Sequence, residues 1–141
     1  VGAVAANGVL RESRWQLDAS SPSEEAESPD EVPSRMTDKG PERYLDPEAA
    51  HILGRYMRDV VLSGTGRSLR DHPWRIAGKT GTAELSGRPS HGWFVGFAPY
   101  GPAVKRIAFA VVIENAGYGG GSAAPAAGEI VNAAALAGLV K

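Results

Sequence analysis

The sequence predicts an α+β fold in which an antiparallel sheet of three strands is flanked by helices. Two patterns indicate this class. Apolar residues recur at helical spacing over residues 47–62, and three apolar segments follow between residues 74 and 114. The stretches between those segments, "SGRPS" and "PYGPAVK", are rich in turn-forming residues, which is typical of strands joined as an antiparallel meander.

The first helix is predicted at residues 47–62. Asp46 can accept hydrogen bonds as the N-cap, Pro47 suits the first helical position, and Glu48 lies at the positive end of the helix dipole. Gly64 can end the helix in a left-handed conformation. The face that packs on the core is expected to contain Leu53, Tyr56, Met57, Val60 and Val61.

The three strands are predicted at residues 74–85, 91–98 and 107–114. The last strand contains "IAFAVVI", which is apolar on both pleat faces, so we expect it in the middle of a sheet that helices cover on both sides. Pro125 then opens a closing helix that extends to about residue 139. The residues expected to pack on the sheet are Ile130, Val131, Ala134, Ala135 and Gly138.

A polar segment at residues 19–41 interrupts this pattern near the start of the chain. It is rich in Ser and Pro, and five acidic residues precede the first base, Arg35. Such a composition buries too little apolar surface to offset the entropy lost on ordering. We predict a mobile acidic loop at these residues, and the acids are Glu24, Glu25, Glu27, Asp30 and Glu31.

The bulk composition excludes several classes of function. The chain has 141 residues, of which 43% are hydrophobic, and this suits one globular domain. A net charge of -1 with scattered arginines offers no surface for nucleic acid. Cysteine is absent, and His51, His72 and His91 lack the spacing of metal ligands, so we predict no metal and no cofactor. No apolar run approaches the roughly 18 residues of a membrane span, so we expect membrane attachment only through an anchor upstream of this chain.

The stretch "RIAGKTGTAEL" carries the chemistry that we consider most informative. In a strand, Lys79 and Gly81 point to one face and Thr80 and Thr82 to the other, so a single ligand meets all four only along the strand edge. Gly81 allows another backbone to approach, the unpaired edge groups hold an extended peptide, and the Lys and Thr side chains donate to a carboxylate. The pattern predicts a site for a peptide carboxylate.

Two other interpretations of this stretch were weighed. A short Lys-Thr-Gly triplet also occurs by chance at an exposed strand end before a turn. The phosphate-binding loop ends in the same Gly-Lys-Thr, but it needs glycine where this chain has Pro73, and it needs a helix after the lysine. We therefore predict no nucleotide binding.

Three blocks, "IAGKTGTAE", "HGWFVGFAPY" and "VIENAGYGGGSAAPAAGEIV", resemble the C-terminal part of the transpeptidase domain of bacterial penicillin-binding proteins. The similarity is greatest to the class B, elongation-type penicillin-binding protein 2. The "GTG" at residues 64–66 and "VAANGV" at residues 4–9 are similar more loosely, with Val9 where a second glycine is usual. The resemblance implies that residues 1–141 are the C-terminal part of one such domain, with the serine β-lactamase/transpeptidase-like fold.

The resemblance also implies an activity and site residues. It implies part of a serine D,D-transpeptidase that cross-links peptidoglycan stem peptides and is acylated by β-lactams. Lys79 and Thr82 would be catalytic, with the Thr82 N–H as one of two oxyanion-hole donors. Lys79, Thr80, Gly81 and Thr82 would bind the stem peptide or the β-lactam, and Lys79 would orient its carboxylate. The implied location is the bacterial cell envelope, on the outer (periplasmic) face of the cytoplasmic membrane.

The family also uses two motifs that this chain lacks. No serine is followed by lysine three residues later, and no Ser-x-Asn occurs. We therefore expect the nucleophile on an N-terminal segment of the same domain, on another chain, which also supplies a strand beside "IAFAVVI". This chain alone is expected to be inactive. The alternatives left open are a fragment of a β-lactamase or D,D-carboxypeptidase, and a non-catalytic β-lactam sensor.

Overall fold

The computed structural model describes residues 1–10 and 41–141. Apart from Pro41, the predicted loop at residues 19–41 lies outside the described residues. A 3-10 turn at Arg67–Leu69 separates the second helix from the main sheet. In chain order the elements are α1 (Gly2–Ala5), β1 (Val9–Leu10), β2 (Glu42–Arg43), α2 (Pro47–Leu62), β3 (Ala77–Leu85), β4 (Arg88–Ala98), β5 (Ile107–Ile113) and α3 (Ala123–Leu136).

The main sheet confirms the predicted antiparallel meander, with strand order β3-β4-β5. The first strand begins at Ala77 and not at residue 74, because Arg75 has a left-handed φ of 43° and its N–H donates to the His72 carbonyl in a turn. The second strand begins at Arg88, earlier than predicted. The connection between β3 and β4 shrinks to Ser86 and Gly87, and the φ of 69° at Gly87 makes that tight turn possible.

The described residues alone do not place β5 in the middle of a sheet covered on both faces. Within the described residues β5 lies at the edge of the sheet, and only one of its faces is covered. Phe109 and Val111 turn toward α3, whereas Ala108, Ala110 and Val112 on the opposite face are exposed. A run of apolar residues cannot by itself show whether both faces of a strand are covered, because the covering element lies elsewhere in sequence.

The helix α2 has the predicted bounds and the predicted N-cap. The Asp46 carboxylate accepts hydrogen bonds from the backbone N–H of Glu48 at 2.8 Å and of Ala49 at 3.4 Å. The left-handed cap at Gly64 is wrong, because Gly64, which follows the C-cap residue Ser63, does not have a positive φ. The glycine is needed there for space, since a Cβ on Gly64 would lie 2.9 Å from the Val60 carbonyl oxygen.

The buried face of α2 is rotated from the predicted one. Small residues face the core, and a Cβ on Gly54 would be in ordinary contact with the Phe97 ring at 3.6 Å. Leu53 and Tyr56, predicted to be inside, are 42% and 56% exposed. The residues of α2 that are buried are Ala50, Gly54, Arg58 and Val61.

The helix α3 covers one face of the sheet, and the core lies between them. Phe94 is fully buried there. Its ring occupies the space left by Gly78 on β3 and its cross-strand partner Gly96 on β4, where a Cβ would lie 2.3 Å and 2.9 Å from the ring. The helix begins at Ala123 and ends at Leu136, so it starts before Pro125 and ends before the predicted residue 139. Of its predicted packing residues Val131 and Ala134 are buried, while Ile130 is 43% exposed.

The first ten residues pack against the far end of the sheet. Asn7 and Gly8 form a turn there, with left-handed φ values of 56° and 92°. The Gly8 carbonyl accepts hydrogen bonds from the N–H groups of Tyr44 and Leu45. Arg106 donates to the carbonyls of Ala5, Pro99 and Gly101 and ties α1 to the loop between β4 and β5.

Candidate active site

A cleft of about 540 Å³ opens beside β3. Three segments form it: the loop after α2, the strand β3 and the glycine-rich loop before α3. Among the described residues, Arg67 is the only charged one that lines it, and glycines 119–121 form one wall. We call it the hydroxyl cleft, because its other polar side chains are the hydroxyls of Ser63, Thr65, Thr80, Thr82 and Tyr118.

The strand β3 turns its two threonines into this cleft. Thr80 and Thr82 line it, whereas Lys79 and Gly81 do not, as the alternation of side chains along a strand predicts. The hydroxyl oxygens of Thr80 and Thr65 lie 2.5 Å apart and share a hydrogen bond. The structure therefore brings together two of the four predicted site residues and adds Thr65 from the loop after α2.

The outer edge of β3 carries no strand partner within the described residues. Pairing with β4 uses one edge of β3, from Ala77 opposite Phe97 to Leu85 opposite Arg88. In residues 1–10 and 41–141, no other element donates to or accepts from the backbone of residues 78–85. The predicted open edge is therefore present in the described part of the chain, and an extended peptide can add to such an edge by backbone hydrogen bonds.

Lys79 lies on the other side of the strand from the hydroxyl cleft. Its ammonium group donates to the carbonyl of the neighbouring Thr80 at 2.8 Å, and the side chain is exposed. Gly81 shares that face, where a Cβ would lie 3.2 Å from the Cβ of Trp93. The prediction that Lys79 meets the same ligand as the threonines therefore depends on a ligand that extends along the strand edge.

The glycine-rich loop before α3 lies directly on the sheet backbone. A Cβ on Gly119 would lie 2.2 Å from the Trp93 carbonyl oxygen and 2.5 Å from that of Gly81. A Cβ on Gly120 would lie 2.4 Å from the carbonyl oxygen of Thr65. Because these two glycines lack a side chain, the backbone of the loop packs directly on the backbone of its neighbours. The loop is therefore close enough to form the cleft wall.

A buried arginine joins the segments beneath the cleft. The Arg58 guanidinium donates to the Ile76 carbonyl at 2.7 Å and to the Arg70 carbonyl at 3.4 Å. Burial lowers the pKa of the Arg58 guanidinium, and the positive charge of Arg75 lowers that pKa further. The guanidinium nevertheless stays protonated, because arginine does not lose its proton in proteins. Its two hydrogen bonds fix the start of β3 relative to α2.

The remaining polar residues have structural contacts. The Ser63 hydroxyl donates to the Asp59 carbonyl at 3.1 Å, which is a helix-end bond. His72 lies 3.2 Å from the Gly128 carbonyl, and His91 accepts from the N–H of Asn115 at 2.9 Å. Across residues 1–10 and 41–141, no cluster of His, Cys, Asp or Glu is suited to hold a metal ion. Within the same ranges, every helix is too short or too polar to cross a membrane.

The geometry defines a class of site: a strand edge open to an extended peptide, beside a cleft lined with hydroxyls. The chain belongs to the penicillin binding protein transpeptidase domain family, whose family model matches residues 6–132. The family resemblance and the α+β fold predicted from the sequence are both confirmed.

Individual relatives cover parts of the chain. The peptidoglycan D,D-transpeptidase MrdA of Acinetobacter baumannii is 45% identical over 82 residues, which span 48% of this chain and 12% of the relative. Penicillin-binding protein 1A of Neisseria gonorrhoeae is 39% identical over 84 residues, spanning 57% of this chain and 10% of that protein. The chain thus spans about a tenth of the length of these curated relatives.

A solved structure gives the same result for the fold. The crystal structure of the D,D-transpeptidase domain of a peptidoglycan glycosyltransferase from Eggerthella lenta matches with a TM-score of 0.55 and 33% sequence identity. The match covers 69% of this chain and 22% of that chain.

Proposed function

We propose that this chain is the part of a peptidoglycan D,D-transpeptidase that holds the substrate, in an enzyme that cross-links stem peptides and is acylated by β-lactams. One observation carries the proposal. Thr80 and Thr82 line a cleft at the unpaired edge of β3 in a chain that belongs to the transpeptidase family. An extended stem peptide would add to that edge, and the hydroxyls would bind its polar groups.

The four predicted site residues would act from two sides of the strand. The Thr80 and Thr82 hydroxyls donate to the substrate in the cleft. Gly81, which has no side chain, allows the substrate backbone to approach the strand between them. The backbone N–H of Thr82 is one oxyanion-hole donor, and the attacking serine's own N–H is the other. Lys79 contributes positive potential beside the edge, which favours a ligand carboxylate and the negative charge that develops during acyl transfer.

The nucleophile would come from a segment other than the described residues. Ser63 is the serine that lines the cleft, and its hydroxyl is engaged by the Asp59 carbonyl, a group that cannot act as a general base. Without a second donor, an oxyanion hole loses on the order of 3 kcal/mol of transition-state stabilisation. We therefore propose a partner segment, the N-terminal part of the same domain on another chain, which carries Ser-x-x-Lys and Ser-x-Asn.

The described surface offers apolar area for that partner segment. On the sheet face opposite α3, Trp93 and Val112 are 39% and 40% exposed, and the outer edge of β5 has no described strand partner. An apolar edge strand left uncovered promotes association between chains. The partner segment would pair with β5 and cover this face. Because peptidoglycan lies outside the cytoplasmic membrane, the site of action would be the periplasmic side of the envelope.

Covalent labelling tests the proposed function. The chain is mixed or co-expressed with the serine-bearing segment, treated with a fluorescent penicillin, and measured by intact mass. We expect an adduct on the partner segment that persists for hours, none on this chain alone, and at least tenfold slower labelling in Lys79→Ala than in the control Lys105→Ala. An adduct that disappears within seconds would favour a hydrolase, and labelling of this chain alone would refute the division of roles.

Size-exclusion chromatography tests the partner segment separately. We expect this chain to co-elute with the serine-bearing segment and to associate with itself when alone, because the open edge and face then remain uncovered. A stable monomer of this chain alone would overturn this part of the proposal.

A further inference from the structure

In the part of the chain that the structure describes, the hydroxyl cleft contains one charged side chain, and the sign of its charge indicates which ligands fit. Arg67 lines the cleft together with five hydroxyl-bearing residues, and no acidic residue from residues 1–10 or 41–141 lines it. The polar lining therefore combines a cation with hydroxyl donors, which is the combination that binds an anionic oxygen group. We propose that Arg67 binds the carboxylate of the ligand and makes the site selective for acyl donors and inhibitors that carry one. This inference rests on the proposed function.

The Arg67 side chain is available for a ligand. Its guanidinium forms no hydrogen bond and no ion pair with another described residue, and the side chain is exposed. The arginines that hold the fold differ, since Arg58 and Arg106 donate to backbone carbonyls. The backbone that carries this side chain is held in place. The Arg67 N–H donates to the Gly64 carbonyl at 3.3 Å, and Leu69 in the same 3-10 turn is 3% exposed.

Lys79 is a poorer candidate for this direct contact. Its ammonium donates to the Thr80 carbonyl at 2.8 Å and does not line the cleft. A guanidinium presents two parallel N–H groups that match the two oxygens of a carboxylate, whereas an ammonium acts as a point charge. Thr80 and Thr82 line the same cleft and would complete the binding of the carboxylate from β3. Arg67 would then be a specificity-determining residue, with Lys79 adding longer-range potential.

The test compares two penicillins that differ in one charge. The complete domain, formed by this chain and the serine-bearing segment, is acylated by benzylpenicillin or by its neutral methyl ester, and the second-order rate constants are measured. We expect Arg67→Gln to slow acylation by the carboxylate form by about tenfold to hundredfold. Acylation by the ester should change by less than about threefold, because the ester cannot form the charge-assisted pair.

Two further variants separate charge from structure. Arg67→Lys keeps the charge but loses the two parallel N–H groups of the guanidinium, so the preference for the carboxylate form should fall only in part. Arg70→Gln, an exposed arginine that does not line the cleft, should leave both rate constants unchanged. Thermal melting of each variant shows whether the fold is retained.

The outcomes distinguish this inference from the proposed function. If wild-type protein is acylated by neither compound, the proposed function fails and this inference fails with it. If the wild type prefers the carboxylate form and folded Arg67→Gln keeps that preference, Arg67 is not the carboxylate ligand and the proposed function stands. An equal loss of rate with both compounds in Arg67→Gln would also overturn the role of Arg67 in charge recognition.

Discussion

The hydroxyl oxygens of Thr65 and Thr80 lie 2.5 Å apart and join the loop after α2 to the edge strand β3. The two residues are fifteen positions apart in sequence, and both line the hydroxyl cleft. Because the bond fixes the Thr80 hydroxyl, it also orients one of the proposed substrate-binding groups. The loop at residues 64–66 is therefore part of the site and not only a connection between elements.

Removal of this bond should cost a modest amount of stability. We expect Thr65→Val to lower the free energy of unfolding by about 0.5–1.5 kcal/mol, because one intramolecular hydrogen bond is lost. Thr80→Val in the Thr65→Val background should add little, since the partner is already gone. Urea denaturation of the single and double variants measures the coupling. Thr82→Val is the control. The pairing would be contradicted if Thr80→Val lowered the free energy of unfolding by the same amount with and without Thr65→Val.

The glycine wall of the cleft should tolerate a methyl group at one position and not at its neighbours. Gly119→Ala and Gly120→Ala should each destabilise the domain by about 1–3 kcal/mol and slow penicillin acylation, because the new Cβ requires the loop to move away. Gly121→Ala is the matched control, since its Cβ would meet the nearest atom at 3.7 Å. Thermal melting and acylation rates of all three variants test this, and an equal response would refute it.

The buried arginine beneath the cleft should be sensitive to truncation. Arg58→Ala leaves the carbonyls of Ile76 and Arg70 without their donor and opens a cavity, so we expect a loss of about 2–4 kcal/mol. Arg55→Ala on the same helix removes an exposed guanidinium over the Tyr56 ring, and it should cost less than about 1 kcal/mol. Chemical denaturation of both variants gives the comparison. Similar losses would show that the Arg58 hydrogen bonds contribute little.

The N-cap of α2 gives a local test of the helix. Asp46→Ala removes the acceptor of two backbone N–H groups, so the free energy of unfolding should fall by about 1 kcal/mol. Asp59→Ala near the other end of α2 should be neutral or slightly stabilising, because an acid there opposes the helix dipole. The two melting temperatures should therefore shift by different amounts. A loss in Asp59→Ala as large as that in Asp46→Ala would contradict this account.

Local signals in the sequence predicted where the helices and strands lie better than they predicted which of their faces are buried. The bounds of α2 follow from Asp46, Pro47 and the apolar spacing, all within one segment. The buried face of the same helix was mispredicted, because it is set by packing near Phe97 and Val4, where Gly54 lies instead of Leu53. Likewise, the composition of β5 could not show that one of its faces would be open among the described residues. Packing partners far apart in sequence decide both outcomes.

The candidate site divides in the same way. The alternation of Thr80 and Thr82 against Lys79 follows from strand geometry and was predicted. The contribution of Arg67 and the contact of Thr65 with Thr80 depend on how the loop after α2 folds back onto β3, and no local pattern encodes that. The close approach of Gly119 to β4 had one signal, the run of glycines, but such a run is equally typical of a tight turn before a helix.

The central claim is that ligands bind along the outer edge of β3 and in the hydroxyl cleft. The most direct measurement is a crystal structure of the complete domain after acylation by a penicillin. The account predicts the acyl carbonyl oxygen within hydrogen-bond distance of the Thr82 N–H, and the ligand's carboxylate beside Thr80 and Arg67. A penicilloyl group bound elsewhere, with the edge of β3 covered by another strand, would contradict the account.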